Sequence, residues 1–369
     1  TARVKLIIMI RILDRYIFTQ LIGPLLFGFF LFVTIIAIDP LMSTLQSIVN
    51  ENIPMSVMGR WFLNRLPQDM IFTFPMSVLL ANLLVFGRMS KDSETTALRA
   101  GGTNFFRILV PVVIFALMVT LFSFVFNELV VPTANQEARN IRRLEIMRLV
   151  EPEASENSVM RTSDGAFAYA RKVYEKRGLM EKVLLEYYDD KGVLEKRISA
   201  GTAEWDGSAW VLKSVIEQSY SETDGLAAPA TRPEMRITTI EESPEDFARQ
   251  SKKPNEMSYS ELKGRIEAYE RTQFMDTTEM RVGLAMKTSL PFASFFFAII
   301  GASFGLTNSR SGAFIGFGVS ILIIFIYYVM MSLFTALGKS GFLPPMLAAW
   351  AQNIIFAFVG FYIVKRIND

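Results

Sequence analysis

Long stretches without a single charged residue set the fold class of this sequence. They cover residues 16–38, 71–87, 108–126, 288–309, 311–338 and 340–364. A helix needs roughly 20 apolar residues to cross the hydrocarbon core of a bilayer. Five of the stretches reach or approach that length, and the second reaches it when residues 61–70 extend it. The first is too long for a signal peptide and precedes no small-x-small cleavage site. The sequence therefore predicts an α-helical membrane protein with six transmembrane helices.

About 150 polar residues separate the third predicted span from the fourth, which gives a 3+3 arrangement. Lys and Arg in short loops mark the cytoplasmic side of a membrane protein. One side of the predicted spans carries Arg3, Lys5, Arg11, Arg15, Arg88, Lys91, Arg99, Arg107, Arg310, Lys365 and Arg366, whereas the short loops of the other side carry Arg60 and Lys339. We therefore expect cytoplasmic termini, a cytoplasmic 87–107 loop and an extracytoplasmic insertion, which in a bacterium would be periplasmic.

The insertion has the pattern of an all-β domain. Alternating segments rich in Val, Ile, Tyr and Trp cover residues 166–174, 179–189, 193–206, 209–220 and 234–240, and Asp-Gly or Asp-Lys-Gly turns separate most of them. Such turns between alternating runs are typical of β-hairpins. An antiparallel sandwich, a jelly roll and a barrel all fit this pattern.

Helices are predicted on both sides of these strands. One covers residues 132–150 and extends span three; the other covers residues 258–272 and starts with Ser258 and Glu261 as a capping box. The predicted domains are residues 1–131 with spans one to three, residues 132–272 with the β-jelly-roll-like domain and its flanking helices, and residues 273–369 with spans four to six.

Catalytic patterns are missing from the sequence. It contains no Cys and no His, which excludes disulfides, thiolate metal sites and histidine-based acid–base chemistry. The "GKS" at residues 338–340 resembles the end of a phosphate-binding loop, but position 333 is Leu where that motif requires Gly. We interpret it as a loop between two spans. The chain is therefore predicted to be no enzyme, and any work that it performs needs an external energy source.

The polar segment "GRMSKDSETTALRAGG" (residues 87–102) interrupts two apolar runs. It predicts a short helix over residues 91–100, with Ser90 or Asp92 as N-cap and Gly101 at the C′ position. Glu94, Ala97, Leu98 and Gly101 would share one face of this helix. Its residues alone allow two interpretations, an interfacial helix lying on lipid headgroups and a helix that docks a cytoplasmic partner.

Two further groups of charges lie near the outer membrane surface. Arg139, Arg142 and Arg143 have helical i, i+3, i+4 spacing, which suits binding of phosphates; headgroup anchoring or ion pairs with Glu137 and Glu145 are the alternatives. Charges at Asp39, Arg60, Arg65, Asp69 and Lys287 either line a cavity or, for Arg65 and Asp69, form a local i, i+4 pair.

Five motifs, in this order, resemble the lipopolysaccharide export permeases of the LptF/LptG family. They are "LDRYI" (13–17), "LPQDMIFTFPMSVLLANLLVFG" (66–87), "SKDSETTALRAGG" (90–102), "NELVVPTANQEARNIRR" (127–143) and "GFLPPMLAAW" (341–350). The resemblance covers nearly the whole chain. It implies a permease subunit of an ABC transporter in the bacterial inner membrane, which extracts lipopolysaccharide from the outer leaflet and passes it through its β domain toward the outer membrane.

The resemblance also implies partners and site residues. The expected partners are a cytoplasmic ATPase dimer that holds ATP and Mg²⁺, a second LptF/LptG-type permease chain, a periplasmic jelly-roll bridge of the LptC/LptA type and lipopolysaccharide; no cofactor on this chain and no nucleic acid are expected. Spans one and five would form the subunit interfaces and lateral gates. Carried over by motif, the ATPase-coupling residues are Glu94, Leu98, Arg99 and Gly101, and the lipid-phosphate ligands are Arg139, Arg142 and Arg143.

One departure from the family pattern concerns span one. Family members often carry a Lys toward its outer end, whereas residues 32–45 contain Asp39 as their sole charge. Arg60 and Arg65 are the candidates to replace that Lys. Two rival functions stay open at this point: a different ATP-linked permease serving lipoprotein or periplasmic machinery, and a membrane scaffold or receptor that transports nothing.

Overall fold

The computed structural model describes residues 12–51, 53–146, 155–189, 193–221, 225–226, 228–249, 254–272, 276–307 and 313–368. Its helices are α1 (Ile12–Glu51), α2 (Met55–Lys91), α3 (Glu94–Ala100), α4 (Phe105–Ile141), α5 (Pro244–Arg249), α6 (Tyr259–Thr272), α7 (Thr278–Thr307), α8 (Ala313–Lys339) and α9 (Pro345–Asn368). Within these ranges α1, α2, α4, α7, α8 and α9 are long and apolar enough to cross a membrane. The prediction of six spans is confirmed.

The chain divides into two compact units, and the first contains the spans (residues 1–138 and 278–369). Its centre is the contact between α2 and α7. A Cβ atom added at Gly301 would lie 2.9 Å from Asn82 Cβ, and one added at Gly305 would lie 2.7 Å from Phe86 Cβ. Gly301 and Gly305 are four residues apart, the small-xxx-small spacing that lets transmembrane helices approach closely. The contact is therefore possible because both residues are glycines, which have no Cβ atom.

Burial falls from this centre toward the edges of the first unit. Among the most apolar stretches of the spans, 72% of the α2 stretch and 67% of the α7 stretch are buried, compared with 17% for α1 and for α8. α8 is held partly by polar contacts: the Tyr327 hydroxyl donates to Asn353 Oδ1 at 2.8 Å, and Asn353 Nδ2 donates to Ser289 O at 2.7 Å. α1 and α8 are thus the least covered spans.

The second unit (residues 139–277) contains an antiparallel sheet. Its strands are β1 (Ser155–Arg161), β2 (Phe167–Tyr174), β3 (Leu179–Tyr188), β4 (Leu194–Trp205), β5 (Trp210–Ser221), β6 (Gly225–Leu226) and β7 (Ala230–Ile237). β1 to β5 pair in sequential order, and both β6 and β7 pair with β5. The predicted inserted β domain is confirmed, and among the described strands the connections are those of a meander.

Alternation buries one face of this sheet. Ala168 and Ala170 on β2 are buried, as are Trp210 and Leu212 on β5, and Phe247 of α5 packs edge-to-face on Trp210. The Asp-Gly turns at 164–165 and 206–207 are confirmed by φ angles of 87° and 100° at their glycines. The turns predicted at 190–192 and 224–225 lie wholly or partly outside the described residues.

β1 was not predicted from the sequence, and β7 was predicted to start too late. β1 has the sequence "SENSVMR", in which polar residues replace the alternating apolar ones, so that its periodicity gives no strand signal. β7 starts four residues before the predicted segment because "ATRP" has neither alternation nor β-branched enrichment.

The flanking helices were predicted with mixed success. The capping box is confirmed: Ser258 Oγ accepts from the Glu261 N–H at 3.1 Å, and Glu261 Oε2 accepts from the Ser258 N–H at 2.9 Å. The α-helix predicted over 132–150 ends at Ile141, and a π turn follows over Arg142–Ile146. Residues 147–150 lie outside the described residues. A π turn has i→i+5 hydrogen bonds, so the predicted α-helical spacing of the arginines does not continue past Ile141.

The α2–α7 contact predicts a position-specific effect of alanine on α7. Gly305→Ala should lower the free energy of unfolding by about 1–3 kcal/mol, because the new methyl group overpacks against the α2 backbone. Gly283→Ala on the same helix meets no atom within 4 Å and should change stability by less than about 1 kcal/mol. Thermal unfolding of the detergent-purified variants measures both. Equal stability of the two variants would contradict the close contact.

Candidate functional site

A two-residue break separates α3 from α2. α2 ends at Lys91, Asp92 follows as its C-cap, and Ser93 adopts a left-handed conformation with φ of 61°. α3 therefore begins three residues later than predicted. The predicted N-caps are wrong: Ser93 occupies the N-cap position without a side-chain hydrogen bond, and the Ser90 hydroxyl donates instead to Leu306 O at 3.3 Å.

α3 ends in a Schellman motif that uses the second glycine of the pair. The Gly102 N–H donates to Arg99 O at 2.9 Å, and the Thr103 N–H donates to Leu98 O at 3.0 Å. Gly102 has φ of 84°, whereas Gly101 has φ of −75°. The C′ residue, which takes the left-handed conformation, is therefore Gly102, and the expectation for Gly101 is wrong.

One side of α3 packs against the spans and the other is exposed. Thr95 is buried, Glu94 and Leu98 are half-buried, and Leu98 packs against the cluster that contains Ile17 and Leu21 of α1. The predicted common face is wrong in part, because Ala97 and Gly101 point away from this cluster and are exposed. The exposed residues of α3 are Thr96, Ala97, Arg99 and Ala100.

Two polar contacts join the first turns of α1 to α3 and to the start of α4. The Tyr16 hydroxyl donates to Glu94 Oε2 of α3 at 2.8 Å. The Arg107 guanidinium of α4 forms a two-pronged ion pair with the Asp14 carboxylate, with Nη2 2.6 Å from Oδ2. No contact of Asp14, Tyr16 or Arg107 was predicted from the sequence, although Asp14 and Tyr16 lie in the "LDRYI" motif.

Arg99 reaches α9. Its Nη2 donates to Ile367 O at 3.4 Å, near the C-terminal end of that helix, and the side chain stays exposed. The contact is long, and a cation near helix C-terminal carbonyls is favoured by the helix dipole. α3 is therefore tied by polar or apolar contacts to α1 and α9, in addition to its chain connections to α2 and α4.

Arg139 in the second unit has an internal partner. Its guanidinium pairs with the Glu256 carboxylate, which is 5% exposed. Arg265 lies close to both, and burial lowers its pKa against the opposing influence of Tyr269, Glu261 and Glu256. This ion pair differs from the Glu137 and Glu145 alternatives drawn from the sequence. A lipid phosphate at Arg139 would have to compete with Glu256 for the guanidinium.

Arg142 and Arg143 belong to the second unit, and Arg60 and Arg65 belong to the first. Arg142 is exposed in the π turn, and the side chain of Arg143 lies outside the described residues. In the first unit Arg60 is exposed, and Arg65 bonds to Gln68 and lies 3.9 Å from Asp69. The predicted i, i+4 pair is thus present, though at the outer limit of an ion pair. The phosphate-binding roles themselves stay predictions.

The "GKS" segment has a packing role in the structure. A Cβ atom added at Gly338 would lie 2.4 Å from Ala348 Cβ and 3.0 Å from a Val282 methyl group, so that α8 approaches α9 and α7 closely here. Lys339 pairs with Glu279 at 2.7 Å. These contacts agree with the interpretation of the segment as a connection between two spans. Within the described ranges, no group of three or more acidic side chains could hold a metal ion.

Two apolar cavities open on the first unit. One of about 520 Å³ lies between α4, α7 and α9, and the other of about 420 Å³ lies between α1, α2 and α4. Phe, Leu, Ile, Val and Met provide most of both linings. Such surfaces suit hydrocarbon chains and contain no group for proton transfer or nucleophilic attack.

Comparison with known proteins gives two results. A family model described as "Lipopolysaccharide export system permease LptF/LptG" matches residues 15–366. The chain is also 22% identical, over 373 aligned positions, to the lipopolysaccharide export system permease protein LptG of Haemophilus influenzae. That alignment covers 98% of this chain and 100% of the relative.

The Schellman motif predicts different effects of alanine at the two adjacent glycines. Gly102→Ala forces a Cβ residue into the left-handed conformation, at a cost of about 1 kcal/mol, and should loosen the end of α3. Gly101→Ala, the matched control, keeps an ordinary φ and meets the carbonyl oxygens of Ala97 and Leu98 at a normal 3.4 Å. Trypsin cleavage after Arg99 should accelerate in the first variant only. Faster cleavage of the Gly101 variant would contradict the assignment of Gly102 as the C′ residue.

The buried Glu256 predicts that Arg139 and Arg142 differ in their effect on stability. Arg139→Gln leaves the buried Glu256 carboxylate without its ion pair to Arg139, with Arg265 as the remaining nearby cation, and should cost about 1–3 kcal/mol, whereas Arg142→Gln should cost less than about 0.5 kcal/mol. Arg139→Gln combined with Glu256→Gln should recover most of the loss. Thermal unfolding of the purified variants tests this. A double variant as unstable as Arg139→Gln alone would refute the explanation by an unpaired charge.

Proposed function

The chain belongs to the LptF/LptG family of lipopolysaccharide export permeases, and on that premise we propose how its parts work. Family membership makes it a multi-pass inner-membrane component of a transport system, not an enzyme, because ATP hydrolysis in that system resides in a separate subunit. We propose that it pairs with a second permease chain of the same type and with a cytoplasmic ATPase dimer. The complex extracts lipopolysaccharide from the outer leaflet of the inner membrane.

The α3 segment is the proposed contact with the ATPase. The positive-inside pattern supports a cytoplasmic position for it and for both termini. The observation that carries the proposal is the geometry of α3: a short helix with one face fixed on the spans and the face around Ala97 and Arg99 exposed. Glu94 is half-buried and contacts Tyr16, so its predicted contact with a basic ATPase residue would be made from the edge of this face. ATP and Mg²⁺ stay on the partner.

α1 and α8 are the proposed boundary of the lipid cavity with the second chain. Their low burial supports this assignment, because apolar spans that pack little within their own chain have surface left for a partner or for acyl chains. Arg142 is the proposed phosphate ligand, with Arg139, Arg143, Arg60 and Arg65 as further candidates. Guanidinium groups suit this task because they bind phosphate oxygens in bidentate fashion.

The sheet of the second unit is the proposed route out of the membrane. We place it in the periplasm, where it would accept the lipid and transfer it to a periplasmic bridge of related jelly-roll domains. The apolar face of the sheet, which includes Trp210 and Leu212, is buried in part under Phe247 of α5, so that this face would have to open to hold acyl chains.

Capture from a mild detergent extract tests the docking proposal. The chain should bring down an ABC-type ATPase and a second permease chain. Glu94→Arg or Arg99→Glu should reduce the captured ATPase by about tenfold or more, because reversing an interface charge costs several kcal/mol.

Lys365→Glu provides the matched control, since Lys365 is an exposed cation on the same predicted side of the membrane. It should leave capture unchanged. Undiminished ATPase capture by both α3 variants would remove α3 from the interface, and capture without any ATPase would overturn the proposed assembly.

A further inference from the structure

α1 combines a largely uncovered outer face with specific contacts at its first turns. Its most apolar stretch is 17% buried, yet Asp14 and Tyr16 form the ion pair and the hydrogen bond described above. These two residues are two positions apart, and they contact α4 and α3 respectively. The start of α1 therefore contacts the helices on both sides of the Gly101–Gly102 turn.

The hydrogen bond from the Tyr16 hydroxyl to Glu94 is a polar contact between α1 and α3. It joins residues 78 positions apart and is partly buried, and its acceptor is a carboxylate, which makes such a bond stronger than one between neutral groups. Leu98 adds an apolar contact with the cluster around Ile17 and Leu21. Arg88, at the end of α2, also interacts with the Tyr16 hydroxyl.

We propose that Tyr16 is a positioning residue that links α3 to α1, so that a displacement of α3 by the ATPase is passed directly to this span. The inference rests on the proposed docking at α3 and adds the route from there to the lipid cavity. α2 and α7 cannot easily follow α3, because their backbones are in close contact at Gly301 and Gly305. α1 also packs along α2, where Gly28 approaches Ser77 and Leu80, but its outer face is uncovered, so a pull at Tyr16 can move it without opening the α2–α7 contact.

Two conservative variants separate the link from the docking charge. Tyr16→Phe removes the hydroxyl and leaves the Glu94 charge and the Asp14–Arg107 pair in place. Glu94→Gln removes the charge but keeps a carbonyl oxygen that can accept from Tyr16. Tyr362→Phe serves as the matched control, since Tyr362 on α9 is 65% exposed.

The experiment measures two rates in the native complex, reconstituted in lipid vesicles with saturating ATPase. These are the rates of ATP hydrolysis and of lipopolysaccharide release. The ratio of lipopolysaccharide released to ATP hydrolysed reports the coupling. Tyr16→Phe should leave assembly and hydrolysis near the wild-type level and lower the ratio by about 2- to 30-fold, the range of mutations that modulate coupling between sites. Glu94→Gln should lower ATPase binding, because it removes a docking charge, whereas Tyr362→Phe should keep the wild-type ratio.

Three outcomes would overturn the link. The first is an unchanged ratio in Tyr16→Phe. The second is an equal fall of hydrolysis and release in that variant, and the third is a loss of complex assembly. The last two would indicate a merely structural role of Tyr16. A failure of the docking proposal is distinguishable, because it appears as normal ATPase capture by Glu94→Arg and Arg99→Glu, whatever Tyr16→Phe does.

Discussion

The contact between α2 and α7 is the constraint on which the membrane unit depends. Between helices in lipid there is little hydrophobic driving force, so association relies on van der Waals packing and on close backbone approach. Gly301 and Gly305 allow that approach on α7, where any side chain would collide with Asn82 or Phe86 of α2. Because these two helices are the most buried spans, the others are arranged around them. Close approach is repeated at Gly338, where α8 meets α9.

This arrangement assigns different mechanical roles to the spans. The α2–α7 pair is rigid, since separating it means opening a packed backbone interface, whereas α1 packs with one face on α2, near Gly28, and has two polar contacts at its start. In the proposed coupling, an ATPase acting on α3 displaces α1 before it displaces the centre. The Tyr16–Glu94 bond makes this order of events specific, and the apolar surface left on α1 lies where a lipid or a second permease chain can meet it.

The features that follow from local sequence were predictable, and those that depend on distant residues were not. Uncharged runs revealed the spans, Asp-Gly pairs revealed two hairpins, and the Ser258–Glu261 spacing revealed the start of α6. Which of Gly101 and Gly102 is the C′ residue could not be predicted, because both glycines can adopt the left-handed conformation. The hydrogen bonds at the end of α3 determine which of them does so. Glu256 is 117 positions from Arg139 and Glu94 is 78 from Tyr16, so no periodicity could pair them. The "LDRYI" motif held the only hint, since it placed Asp14 and Tyr16 in a segment shared with the family.

Motion of α1 against a fixed α2–α7 pair is the central claim, and distances between spin labels test it most directly. The chain has no native cysteine, so cysteines placed at exposed positions report cleanly: Ile35 on α1, Leu63 on α2 and Phe292 on α7. The distances are measured in the assembled complex by double electron–electron resonance, with and without a non-hydrolysable ATP analogue. The account predicts that the 35–292 distance shifts on nucleotide binding while the 63–292 distance stays constant. A constant 35–292 distance, or an equal shift of both, would contradict it.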